Sequence, residues 1–157
     1  MKARVLLAED DADLAFVIKD NLEEEGCQVV LCTDGEAALQ QFSRADFDIC
    51  LLDVMMPVKD GFTVAKKIRQ KNAWTPILFI TARPEEQDKL EGFRSGADDY
   101  IPKPFSMKEL LMRMDVFLRR TKKMHSGESK EYQRGTLRFV YNSLKIYHGE
   151  EEVSLTQ

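Results

Sequence analysis

Along the first 121 residues, short apolar runs alternate with longer stretches in which apolar positions return every three or four residues. Residues 3–8 form one such run, and Leu14, Val17, Ile18 and Leu22 then recur at helical spacing until Gly26. The same alternation predicts further strands near 28–32, 48–52, 76–81 and 99–102, with helices near 35–44, 61–71, 86–95 and 106–121. Strands that are apolar throughout, rather than at every second position, need cover on both faces. Helices between them supply it through right-handed crossovers onto a parallel sheet. The expected fold is therefore α/β, a three-layer sandwich around a five-stranded parallel sheet. The last helix is the best marked. Ser106-Met107-Lys108-Glu109 forms a capping box, and Leu110, Leu111, Met114, Phe117 and Leu118 supply a buried stripe.

The pattern changes after Arg120. A polar run without periodicity reads as a linker over residues 122–131, which sets residues 1–121 apart as one domain. Beyond it, Gly135 to Tyr141, Leu144 to Tyr147 and Glu152 to Leu155 read as short antiparallel strands separated by Asn142-Ser143 and His148-Gly149 turns. Residues 132–157 are too few to bury a core by themselves.

Composition narrows the function classes. No apolar stretch is long enough to cross a bilayer, and the N-terminus runs straight into a strand, so the expectation is a cytoplasmic protein without a membrane partner. Cys27, Cys32 and Cys50 lack metal-ligand spacing and are expected to be small buried hydrophobes. His125 and His148 likewise show no ligand-like spacing. A net charge of −4 and a pI near 5.3 argue against a preformed nucleic-acid surface in these residues.

The chemistry lies in the acids at the predicted strand ends. In open parallel sheets, ligands bind beyond the carboxyl ends of the strands where the strand order reverses. Glu9, Asp10 and Asp11 follow the first strand, Asp53 the third, Thr81 ends the fourth and Lys103 follows the fifth. Gathered carboxylates repel unless a cation intervenes, and a hard divalent ion such as Mg2+, with Mn2+ as an alternative, suits such oxygen donors. Asp53 is then a candidate nucleophile toward phosphorus, and Lys103 a charge-balancing ammonium. The plainer reading of a strand-end aspartate is a helix cap, as at Asp11 or Asp13 and at Asp60. Glu9, Asp10, Asp53, Thr81 and Lys103, gathered at or beside four strand ends, favour a site.

The segments Ala8-Glu9-Asp10-Asp11, Asp53-Val54-Met55-Met56-Pro57-Val58-Lys59-Asp60-Gly61, Thr81-Ala82-Arg83 and Gly96 to Phe105 resemble the response-regulator receiver family over residues 1–121. The resemblance implies a flavodoxin-like (CheY-like) sandwich with strand order 2-1-3-4-5. It also implies that Asp53 accepts a phosphoryl group from a sensor histidine kinase. Mg2+ would be held by Asp10, Asp53 and the backbone carbonyl of Met55 with Glu9 in support, while Thr81 and Lys103 bind phosphoryl oxygens. Thr81 and Tyr100 would form a switch pair, the hydroxyl moving toward the phosphoryl group and the ring turning inward. Lys103-Pro104 matches a cis peptide of the family. Such a protein is not an enzyme beyond Mg-dependent self-phosphorylation and self-dephosphorylation.

Lys89, Asp98, Asp99, Glu109, Arg113 and Arg120 are similar to positions of the OmpR/PhoB subfamily, whose activated receivers form two-fold dimers. The implied pairs are Lys89 with Glu109, Asp98 with Arg113 and Asp99 with Arg120, although exposed charges of this kind also fit a solvated surface. The tail resembles the N-terminal sheet of that subfamily's winged-helix domain. The chain thus reads as a truncated regulator that does not itself bind DNA specifically, DNA being a partner of the full-length protein only. The strands of that tail are expected to lie on the receiver or to pair with another copy. The alternative is a stand-alone receiver acting through protein contacts. Two rivals fit less well. A phosphatase of the haloacid dehalogenase type needs a second Asp where Met55 stands, and a flavin carrier would not place Glu9-Asp10-Asp11 against a phosphate.

Overall fold

The structure is a computed structural model that describes residues 1–82 and 86–125, together with four short strands between 131 and 153; the side chains of residues 83–89 and from 121 onward lie outside the described residues. The chain divides into two compact units, Met1–Leu118 and Arg119–Gln157.

In the first unit, β1 (Arg4–Ala8), α1 (Ala12–Glu24), β2 (Gln28–Cys32), α2 (Gly35–Arg44), β3 (Ile49–Asp53), α3 (Gly61–Lys71), β4 (Ile77–Thr81), α4 (Glu86–Arg94), β5 (Asp99–Pro102) and α5 (Met107–His125) follow one another. The strands form one parallel sheet in the order β2-β1-β3-β4-β5, as the sequence pattern and the resemblance led one to expect. Because successive strand residues face opposite sides, each strand feeds two cores. Leu6, Ala8, Cys50, Leu52, Ile77 and Phe79 meet Ala38 and Leu39 of α2 and Val64, Ala65 and Ile68 of α3. Val5, Leu7, Ile49, Leu51, Leu78 and Ile80 meet Ile18 and Leu22 of α1 and Leu110, Met114 and Leu118 of α5. All three cysteines are buried and free, in keeping with their expected role. Burial pushes the Cys32 thiol up to about 11 and the Cys50 thiol up to about 12.

The helix boundaries have local causes. Asp11, Asp34 and Asp60 cap α1, α2 and α3, each accepting from backbone N–H groups of the first turn. At the other end of α1, Gly26 takes a φ of +94° while its N–H donates to Glu23 and that of Cys27 donates to Leu22, a Schellman stop. Gly96, φ +102°, closes α4 in the same way. At α5, Ser106 Oγ accepts from Glu109 N–H at 3.0 Å, but the Glu109 carboxylate turns to Arg113 at 3.1 Å, so the capping box is used in one direction.

Two boundaries differ from the sequence expectation. Helix α5 continues through His125, into the stretch read as linker, since Thr121-Lys122-Lys123-Met124-His125 contains no glycine or proline to stop it. Among the described residues the second unit holds four antiparallel strands instead of three, β6 (Glu131–Arg134), β7 (Leu137–Val140), β8 (Lys145–His148) and β9 (Glu151–Val153), in sequential order. Strand β6 is mostly polar, and its pairing with β7 rather than its own periodicity defines it. The Asn142-Ser143 turn and residues 126–130 of the predicted linker lie outside the described residues.

Candidate functional site

Strand order reverses at β1, which sends α1 to β2 on one side and lies against β3 on the other. The crevice there receives the residues that follow these strands. Ala8 is in register with Leu52 and Asp53 with Ile80, so Glu9, Asp53 and Thr81 emerge at nearly the same level of the sheet. Glu9 N–H still donates to Cys32 at 3.0 Å, and Lys103 N–H donates to Thr81 at 2.7 Å, which ties the loop ends to neighbouring strands. The Lys103–Pro104 peptide is cis.

Asp53 is held from two directions. Its Oδ1 accepts from Met55 N–H at 3.0 Å, and its Oδ2 accepts from Lys103 Nζ at 2.9 Å. The same ammonium donates to Glu9 Oε1 at 2.7 Å. Lys103 thus bridges two carboxylates that are almost wholly buried, Asp53 retaining 4% of its accessible surface and Glu9 none. Burial pushes the Glu9 carboxyl up to about 8, its hydrogen bond with Asp53 adding to the rise and Lys103 opposing it. For Lys103, burial alone lowers the pKa, but the hydrogen bonds and attraction to Glu9 and Asp53 outweigh it and the net direction is upward.

Glu9, Asp10 and Asp53 each offer a carboxylate oxygen, and these lie within 4.8 Å of one another. Asp10 is exposed at the mouth, where it lines a cavity of about 480 Å³ together with Met55, Met56, Pro57 and Asp60. Glu9 Oε2 is buried without a hydrogen-bond partner among the described residues. A buried unpaired carboxylate oxygen beside two further acids fits a hard divalent cation, which supplies what one lysine does not.

The other expected residues fall into two groups. Thr81 is fully buried at the end of β4, one residue beyond Ile80, the register partner of Asp53. Tyr100 is also inside, 6% exposed, its ring 6.4 Å from that of Phe79, which in turn meets Phe62 at 5.3 Å. Four of the charges expected on a dimer face, Asp98, Asp99, Glu109 and Arg113, have partners within the chain. Asp98 accepts from Arg69 at 2.7 Å and from Ile77 N–H at 2.9 Å, and Arg113 donates to both oxygens of Asp99 at 2.9 Å and to Glu109 at 3.1 Å. Arg120 is exposed, and the side chain of Lys89 lies outside the described residues. Sequence reasoning passed over Arg69, whose guanidinium also binds the carbonyls of Gly96 and Thr75 at 2.8 and 2.6 Å. It also passed over Gly92, where an added Cβ would stand 3.2 Å from Phe79 and 3.3 Å from Tyr100. A glycine in mid-helix was the available signal.

Comparison with known proteins agrees with this geometry. Residues 5–115 match the family described as the response regulator receiver domain. The transcriptional regulatory protein RprY of Bacteroides fragilis is 43% identical over 155 residues, 99% of this chain and 66% of RprY. The chain thus spans just under two-thirds of that relative. Among solved structures, the receiver domain of the Francisella response regulator 1452 superposes with a TM-score of 0.73 at 38% identity, covering 76% of this chain and 99% of that one. The response regulator TrrA of Thermotoga maritima, in complex with Mg2+-BeF, gives 0.68 at 32% identity, covering 74% and 99%. The chain belongs to the response-regulator receiver domain family, whose members are signalling phosphoacceptors rather than turnover enzymes.

Proposed function

We propose that this chain is the receiver part of a two-component transcriptional regulator of the OmpR/PhoB kind, and that Asp53 accepts the phosphoryl group of a phosphohistidine on a sensor kinase. One observation carries the reading: a buried carboxylate at the carboxyl end of the central strand, one oxygen fixed by Met55 N–H and the other by Lys103. In the transfer, an Asp53 oxygen forms the bond to phosphorus as the phosphorus–nitrogen bond breaks, and the imidazole leaves with the electron pair. The Lys103 ammonium and the Thr81 hydroxyl would hold phosphoryl oxygens. Asp10, Asp53 and the Met55 carbonyl, with Glu9 in support, would hold Mg2+ or Mn2+, which supplies charge neutralisation on the transferring group. The Mg2+-BeF complex of the Thermotoga relative supports that ligand class. Thr81 and Tyr100 would form the switch pair, a reading that the burial of both residues supports. The protein acts in the cytoplasm.

The similarity to RprY extends over nearly the whole chain, including the second unit, and favours a DNA-binding regulator over a stand-alone receiver. DNA binding belongs to the full-length protein. Activation would dimerise the receiver through α4, β5 and α5.

The test is incubation with acetyl phosphate and Mg2+, followed by intact mass, for the wild type and Asp53→Asn. A gain of one phosphoryl group in the wild type only is expected. No gain in the wild type would withdraw both the phosphoacceptor and the switch.

A further inference from the structure

We propose that Gly35 and Glu36, in the first turn of α2, are positioning residues for the metal site, seating Lys59 and with it the loop that presents Met55. The inference rests on the reading above, in which Asp10, Asp53 and the Met55 carbonyl hold the divalent cation. Gly35, Glu36 and Lys59 give that cation no ligand. They act through the course of the backbone between β3 and α3.

Residues 54–60 leave the end of β3 and return to begin α3. This loop is gripped twice, each time by the first residue of a helix. Gly61 holds its beginning, its N–H donating to the Val54 carbonyl at 2.9 Å. Gly35 holds its end. A Cβ there would overlap the Lys59 carbonyl oxygen and stand 2.8 Å from Lys59 Cβ and 2.9 Å from the Lys59 carbonyl carbon. Gly35 is buried and its φ is not positive, so the close approach, and not a turn, is what calls for glycine. Glu36 adds a second hold, its Oε2 lying 2.6 Å from Lys59 Nζ. Lys59 therefore meets α2 through both its backbone and its side chain.

The chain between the two grips is strained. Val58, immediately before Lys59, has a φ of +70°, and Lys59 N–H closes the turn onto the Pro57 carbonyl at 2.9 Å. A β-branched residue stays in the left-handed region only where its surroundings over-determine it. Val58 and Met55 are both exposed, so their own side chains supply little of that constraint. The seat on α2, one residue further on, supplies it. Without the seat, Val58 is free to relax toward an extended φ and the peptide planes before it turn as well. That motion would disturb the Met55 carbonyl and the bond from Met55 N–H to Asp53 Oδ1, now 3.0 Å. Mg2+ demands near-ideal octahedral geometry, so a small displacement of one ligand is felt in its affinity.

The experiment is titration of the full chain with Mg2+ by calorimetry, with amide hydrogen exchange of the metal-free protein as a second readout. Gly35→Ala is expected to weaken Mg2+ binding about tenfold, and to speed exchange at Met55 N–H relative to Leu6 N–H in the sheet. Two milder variants decide the matter should Gly35→Ala not fold. Glu36→Gln and Lys59→Met should each weaken binding about two- to fivefold, and Lys59→Arg, which keeps the pair with Glu36, should retain wild-type affinity. Lys59→Met carries the discriminating sign. Removing a positive charge near a cation site tightens binding through space, so weaker binding reports a displaced loop. Unchanged or tighter binding in Lys59→Met, or a Gly35→Ala protein that loses stability but keeps wild-type affinity, would overturn the proposal and leave the metal site standing. A wild type that binds no Mg2+ would overturn the metal site itself and this inference with it.

Discussion

Glu9 is a carboxylate in a place where charge is costly to keep. Its folded pKa of about 8 stands well above the ordinary value of 4.5, so between those pH values the metal-free folded state holds a proton that the unfolded chain has released. That contribution to stability is complete below about pH 4.5 and is lost as pH rises through 8. The Tm of the metal-free protein is therefore expected to fall from pH 5 to pH 8.5 more steeply than that of Glu9→Gln, and Mg2+ should raise the Tm more at pH 8.5 than at pH 5.5. Parallel Tm profiles for the two proteins would show that Glu9 does not titrate in this way. Val58 presents a different residue-scale cost. It is a β-branched residue at φ +70°, 75% exposed, in a tight turn closed by Lys59 N–H to the Pro57 carbonyl at 2.9 Å. The left-handed region is unfavourable for a side chain branched at Cβ, and little burial is lost by removing it. Val58→Gly should stabilise the protein by about 0.5–1 kcal/mol in urea denaturation, the glycine's own entropy offsetting part of the gain. A destabilised variant would mean that the Val58 side chain contributes packing that outweighs its backbone.

At the scale of elements, α3 is the helix that fixes the site. Asp60 caps it, Gly61 N–H donates to the Val54 carbonyl at 2.9 Å, and an added Cβ at Gly61 would collide with the Asp53 carbonyl and reach 2.9 Å from Val54 Cα. Gly61 thus lets α3 start directly against the backbone that carries the phosphoacceptor candidate. Gly61→Ala is expected to cost about 2 kcal/mol or more and to slow phosphorylation by acetyl phosphate even under conditions where the variant is fully folded. Wild-type stability and rate would show that the start of α3 can shift without disturbing Asp53. This contact was only half legible beforehand: Asp60-Gly61 reads as a helix start from residue chemistry, but which backbone lies across from the glycine depends on how α3 packs on β3. The same holds for α5, whose Ser106 cap and Leu110, Met114 and Leu118 stripe followed from local pattern, whereas the partner of Glu109 did not.

For the whole molecule, the proposed dimer has to contend with ion pairs inside one chain. Arg113 is shared between Asp99 and Glu109, and Asp98 between Arg69 and a backbone N–H, so intermolecular pairing would exchange partners rather than recruit unpaired charges. Such exchanges bring little net energy per exposed pair, and the affinity then has to rest on several pairs and apolar contact together. Arg113→Glu would place like charges opposite Asp98 of a second copy, and about a tenfold weaker association of the phosphorylated protein is expected by sedimentation. Unchanged association would remove α4-β5-α5 as the dimer face. Among the described residues no helix is long and apolar enough to cross a membrane.

What the sequence determined by itself is the order of strands and helices in the first unit, the glycine stop at Gly26 and the placement of acids at strand ends, because each follows from hydrophobic period, caps and backbone freedom within a few residues. Through the resemblance those features also led to strand order. The tertiary structure alone decided who meets whom. Lys103 spans 94 residues to Glu9 and 50 to Asp53, and Arg69 reaches 29 residues to Asp98. Lys59, in the loop before α3, pairs with Glu36 of α2 at 2.6 Å, across 23 residues of chain. The physical reason is one of range: periodicity and capping act over one or two turns of chain, whereas the charge, burial and hydrogen bonding of a side chain are set by neighbours that only the packed sheet brings near.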